Sequence, residues 1–249
     1  MVSRCVTVVE TSPLDKYKYC LLGVPDVGLV GSIALGYAIQ KQHMDERGYI
    51  DSPSFPPVIV IHEGKPLTPF RLYRQKELAA IISEIPIEPS MLVETARAII
   101  AWAKTKDVQL LIAVSGTAVP NRLEIDEPEV YGVGSSETTT QLLHDNDIPI
   151  LSEGFIAGLH AMVMKESQRE GVPCIILLAQ SHLQYPDPGA AASLLRSLNV
   201  LIDLTVDTDD LVAQEEEIRV KMRALMQRTQ QQMPLVQKGH EQELPALFA

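Results

Sequence analysis

Leu21-Leu22-Gly23-Val24-Pro25-Asp26-Val27-Gly28-Leu29-Val30-Gly31 joins a short apolar run, Tyr19 to Leu22, to a segment of helical character, Ser32 to Gln40. A glycine-rich link from strand to helix is the usual seat of a phosphate in an α/β protein, because free backbone N–H groups and the helix dipole converge there. The spacing excludes both familiar versions. A Walker loop places Lys and Ser/Thr where Leu29 and Val30 stand, so the phosphate cation and the magnesium ligand are missing. In a dinucleotide fingerprint Gly28 and Gly31 would be the last two glycines, but Asp26 occupies the first position, where a carboxylate would repel pyrophosphate. The glycines are therefore read as a structural joint that permits positive φ and close helix–strand packing.

Outward from this joint the chain alternates strand and helix signals. Arg4 to Glu10, Tyr17 to Leu22 and Leu78 to Ile85 read as strands, and Val58 to Ile61 and Phe70 to Tyr73 as two β-like runs joined by His62-Glu63-Gly64-Lys65. Met91 to Lys106 carries Leu92, Ala96, Ile99 and Ala103 on one helical face, with Ser90 as its expected cap and Trp102 beside the stripe. Val108 to Val114 and Cys174 to Ala179 are continuous apolar runs, the pattern of parallel strands covered on both faces. Between them, Asn121 to Gly134 holds Glu124, Asp126, Glu127 and Glu129 and is predicted to be an exposed acidic excursion. Ser136 opens a short helix, a longer one stops at Gly171, and Asp187-Pro188 provide the N-cap and first turn of another. The alternation predicts an α/β sandwich. An amphipathic helix over 207–233 follows, capped by Thr208, with Leu211, Ile218, Met222, Leu225 and Met226 as its stripe. The segment 234–249 is polar, without periodicity, and is predicted to be a flexible tail. The predicted domains are thus a core, 1–206, the helix, and the tail.

Composition narrows the function. With 32 acidic against 21 basic residues the formal charge is −11, which disfavours nucleic acid and anionic membranes as partners. Met1-Val2-Ser3-Arg4 is not followed by a leader-like apolar stretch, and no apolar run is long enough to span a bilayer. Cys5, Cys20 and Cys174 lie in apolar segments without Cys-x-x-Cys spacing, which predicts buried free thiols, a cytoplasmic setting and no metal site. No cofactor is expected. Ser115, Glu153 and His182 lie on loops after strands, where open α/β sheets bind ligands, and could in principle supply nucleophile, acid and base. Ser115 lacks the Gly-x-Ser-x-Gly elbow, since Ala113 stands where the first glycine belongs, so no catalytic residue is assigned.

Several short motifs in order resemble the proteasome-assembly chaperone family, in its archaeal-type form. They are Gly23 to Gly31, Pro56-Pro57-Val58, His62 to Pro66, Pro69 to Tyr73, Ala79 to Pro86, Val114-Ser115-Gly116, Glu153 to Gly158 and Pro188 to Ala191. The resemblance covers the chain to about Val212. It implies a three-layer α/β/α sandwich of the phosphorylase/hydrolase-like kind, homo-oligomerisation, no established catalytic residues, and binding to proteasome α subunits. In that family the binding device is a C-terminal hydrophobic–tyrosine–any-residue tail, matched here by Leu247, Phe248 and Ala249, with phenylalanine in place of tyrosine. Such a tail could reach at most about 50 Å beyond Pro234. The competing expectations are a nucleoside-type hydrolase or transferase on a phosphorylase-like fold, and an oligomeric scaffold without proteasome contact.

Overall fold

The computed structural model describes residues 5–11, 16–62 and 64–232. The elements run β1 (Thr7–Glu10), β2 (Tyr19–Gly23), α1 (Val30–Lys41), β3 (Asp45–Asp51), β4 (Val60–His62), β5 (Lys65–Leu67), β6 (Phe70–Gln75), β7 (Leu78–Ser83), α2 (Leu92–Thr105) and β8 (Leu110–Ala118). They continue with β9 (Val130–Gly134), α3 (Glu137–Asp145), α4 (Gly158–Glu170), β10 (Cys174–Ser181), α5 (Pro188–Ile202), α6 (Asp209–Ala213) and α7 (Glu215–Gln232). Eight strands form one sheet in the order β1-β3-β6-β7-β2-β8-β10-β9. The central four, β7, β2, β8 and β10, are parallel. Antiparallel strands extend both sides, β9 at one edge and β6, β3 and β1 at the other.

The central strands are apolar throughout because helices cover both faces. Alternation divides their side chains between two cores. Leu21, Ile112, Val114, Ile175 and Leu177 pack with Ile33 of α1 and Leu194 of α5. Cys20, Leu22, Leu111, Ala113 and Ile176 pack on the other face with Ile99 of α2 and Val163 of α4. The result is the expected three-layer α/β/α sandwich.

Several local readings are corrected. The tip at His62 to Lys65 joins β4 to β5, a separate two-stranded ribbon, while β6 turns away to pair with β7. β3 went unread because Asp45-Glu46-Arg47-Gly48 is polar; it lies near the sheet edge, and a register shift occurs between Glu46 and Gly48. β9 emerges from the supposed acidic excursion, a short edge strand carrying two glycines. Ser90 does not cap α2; it sits in a 3-10 turn, Pro89–Met91, that leads into the helix. Cys5 is exposed, since it precedes an edge strand, whereas Cys20 and Cys174 are buried. The single helix expected beyond residue 207 is two, broken at Gln214, and Leu211 and Met226 join the α1–α5 core of the same chain. Other signals hold: Ser136 caps α3 in a capping box with Thr139, and Gly171 closes α4 at φ +71°.

Candidate functional site

The C-terminal ends of β2, β8 and β10 converge at the crevice where open α/β sheets hold ligands. Here the crevice is filled by the protein's own backbone. A Cβ on Gly31 would lie 2.3 Å from the carbonyl oxygen of Val114, and one on Gly116 would lie 2.6 Å from that of Val27. Gly28, at φ +60°, leaves only 1.9 Å between its would-be Cβ and the Ser181 hydroxyl oxygen. The amide of Asp187 then donates to the Gly28 carbonyl at 2.9 Å, tying the turn to the start of α5. The glycines serve contacts among three loops, so the opening turn is a packed joint.

Within this joint, Asp26 Oδ2 accepts a hydrogen bond from Ser115 Oγ at 2.6 Å. His160 Nδ1 lies 3.1 Å from the same oxygen, and His160 Nε2 lies 3.2 Å from the Val114 carbonyl. His160 arrives on the buried stripe of α4, Leu159, His160, Val163, Met164 and Ser167. A serine becomes a nucleophile when its hydroxyl faces an imidazole that is oriented by a carboxylate. Here the carboxylate stands in the middle and both imidazole nitrogens face acceptors. That order locks three elements together and differs from the triad order, in which the imidazole faces the hydroxyl.

A second polar lock lies beside it. Arg122 Nε and Nη2 donate to Asp187 Oδ2 and Oδ1 at 2.7 and 2.9 Å, a bidentate pair with both residues buried. Asp187 also accepts from the amides of Ala190, as the N-cap of α5, and of His182. The cap was legible in the sequence. Arg122 was not singled out, although it is the only cation between residues 121 and 134.

Of the residues considered for catalysis, Ser115 enters the Asp26–His160 cluster and Glu153 is exposed ahead of α4. His182 gives its amide to Asp187 and sets its ring edge-on to Tyr185. Leu247, Phe248 and Ala249 lie outside the described residues. Among the described residues no group of three or more His, Cys, Asp or Glu side chains is placed to hold a metal, and no helix is long and apolar enough to cross a membrane.

Residues 20–226 match the sequence profile of the PAC2 family. The chain belongs to the PAC2 family. This PAC2 chain has 30% sequence identity to Pyrococcus furiosus PbaA, an archaeal homologue of proteasome-assembly chaperone. The two superpose with a TM-score of 0.86 over 91% of this chain and 98% of that one. Pyrococcus furiosus PbaB, an archaeal proteasome activator, shares the fold at 19% identity and a TM-score of 0.75, over 89% and 99% of the two chains. An uncharacterised protein of Methanocaldococcus jannaschii is 27% identical over 220 residues, 88% of each chain. The PAC2 fold is thus that of proteasome-assembly chaperone homologues, as the motif order in the sequence implied.

Proposed function

We propose that this PAC2 chain is a non-catalytic, homo-oligomeric, archaeal-type proteasome-assembly-chaperone-like protein of the cytoplasm. In this reading it engages proteasome α subunits through Leu247, Phe248 and Ala249. The observation that carries the proposal is the similarity to PbaA over nearly the whole of both chains. The filled strand-end crevice and the order of the Ser115–Asp26–His160 cluster support a non-catalytic role.

The working division is a core, 1–206, a helical segment, 207–233, and a tail, 234–249. Burying the Phe248 ring would contribute about 1.5–3 kcal/mol, too little for a stable complex by itself. Several tails on one oligomer raise the effective concentration and convert weak contacts into avidity. Native mass spectrometry of the protein alone and with purified α subunits tests the reading. A homo-oligomer that gains α subunits is the expected result; a monomer that gains none would overturn it.

A further inference from the structure

Alternation along β6 sends Phe70 and Leu72 into the core beneath α2. Arg71 and Tyr73 consequently project to the opposite face, where Tyr73 packs on the α1 core. On that face α1, the β4–β5 ribbon and α7 line a half-open cavity of about 780 Å³. This volume lies in the range of small-molecule sites, which are mostly apolar with a few convergent polar groups.

Its lining has that composition. Val58, Ile61 and Leu67 from the ribbon side, Ile82 of β7, and Met222 and Leu225 of α7 supply apolar wall. Two lining residues are buried polar groups with unmet hydrogen-bonding capacity. Arg71 is only 4% exposed, and its Nε and Nη1 have no hydrogen-bond partner; the Ser32 hydroxyl on α1, equally buried, has none either. Buried polar groups are nearly always satisfied, so two orphans just behind one cavity wall mark a place where a further acceptor would be taken up once their side chains turn toward it. Arg71 Nη2 does pair with Glu84, but that carboxylate also holds His62 Nε2 at 3.0 Å.

Charge points the same way. Among the described lining residues the cations are Arg71, Lys221 and Arg228, and Glu84 is the only carboxylate. Lys221 is paired with Glu217 on the surface of α7. With Arg71 paired to Glu84 and Lys221 to Glu217, the charge left over among the described lining residues is that of Arg228, a local reversal in a chain of net charge −11 that favours an anion.

We propose that this cavity binds an amphipathic small-molecule anion, a carboxylate or sulfonate on an aliphatic or aryl body. The head group lies toward Arg71 and Ser32, with Arg228 at the rim, and the body lies along the ribbon and α7. The site uses none of the strand-end cluster and does not depend on the tail. Neutral or cationic molecules of the same shape leave Arg71 and Ser32 unsatisfied and are rejected for that reason.

Gly36 supplies the decisive variant. It lines the cavity from α1, and a Cβ there would meet only Ile82 Cδ1, at 3.8 Å. Gly36→Leu therefore projects into the cavity while improving the helix. Calorimetric titration with decanoate is the test, with decyltrimethylammonium as the charge-reversed probe of equal chain length. Saturable binding of decanoate is expected, with the ammonium probe at least about tenfold weaker. Gly36→Leu and, separately, the surface variant Arg228→Glu are each expected to weaken decanoate by about tenfold or more. The second variant keeps the test valid if the first fails to fold. Absence of saturable decanoate binding at millimolar concentration, equal binding of the two probes, or full binding by the folded variants would overturn the proposal.

Discussion

The carbonyl oxygen of Val114 lies 2.3 Å from where a Cβ on Gly31 would stand, and that contact fixes how α1 leaves the sheet. Gly31→Ala must push the helix off β8 and is expected to destabilise the protein by about 1–3 kcal/mol or more. Five residues on, a Cβ at Gly36 would make only an ordinary contact with Ile82 Cδ1, at 3.8 Å, and Gly36→Ala is expected to stabilise by up to about 1 kcal/mol. Urea denaturation of both variants checks the pair. Equal effects would mean that the turn is not the packed joint described.

Arg122 and Asp187 make the second expectation. Removing the guanidinium in Arg122→Met leaves the fully buried Asp187 carboxylate uncompensated, which costs about 3–5 kcal/mol. The loss is expected in denaturant midpoint and in thermal unfolding alike. Asp187→Asn in the same background restores neutrality and should recover part of it, because an asparagine still caps α5.

The thiols should separate sharply. Burial pushes the Cys174 thiol up to about 12, and burial likewise raises that of Cys20. Thiolate is the reactive form, so a disulfide reagent at neutral pH should modify exposed Cys5 alone in the folded protein. Cys20 and Cys174 should react only after denaturation, as peptide mapping of the labelled sites would show.

Alkali should unfold the protein through its tyrosines. Burial raises the phenols of Tyr17 and Tyr73 above their ordinary value, with Arg74 and Arg71 respectively pulling the other way. A pKa raised in the folded state means that the stabilisation is fully present below the unfolded value, about 10, and is lost as pH rises through the folded values. Melting temperature should therefore be steady up to about pH 9 and fall above about pH 10. Tyr17 Oη has no hydrogen-bond partner, so Tyr17→Phe should blunt the fall while changing neutral stability by less than about 1 kcal/mol.

The parts of this fold that were legible in the sequence are those where one physical requirement dominates. Leu110 to Val114 and Cys174 to Leu178 had to be apolar on both faces, and Ser136, Gly171 and Asp187 had to satisfy helix ends. β9 stayed hidden because an edge strand is half solvated and depends on a partner that no local pattern names, and β3, next to the edge strand β1, because its start is polar and partly exposed. The Asp26–Ser115–His160 cluster was hidden for a related reason. Its members are separated by 89 and 45 residues, and only the packing of α4 on α2 and β10 brings the histidine to the turn. One local sign was there: His160 occupies an apolar position in the α4 stripe. Arg71 carried no such sign: alternation with Phe70 and Leu72 places it on the opposite face, and its burial depends on the elements that cover that face.

The most direct test of the proposed function is a pull-down of purified proteasome α subunits, comparing the intact chain with one lacking Leu247, Phe248 and Ala249. The intact protein should retain α subunits and the shortened one should lose them, while both keep the same oligomeric mass. Equal retention by the two would contradict docking through the tail, and retention by neither would contradict the partner.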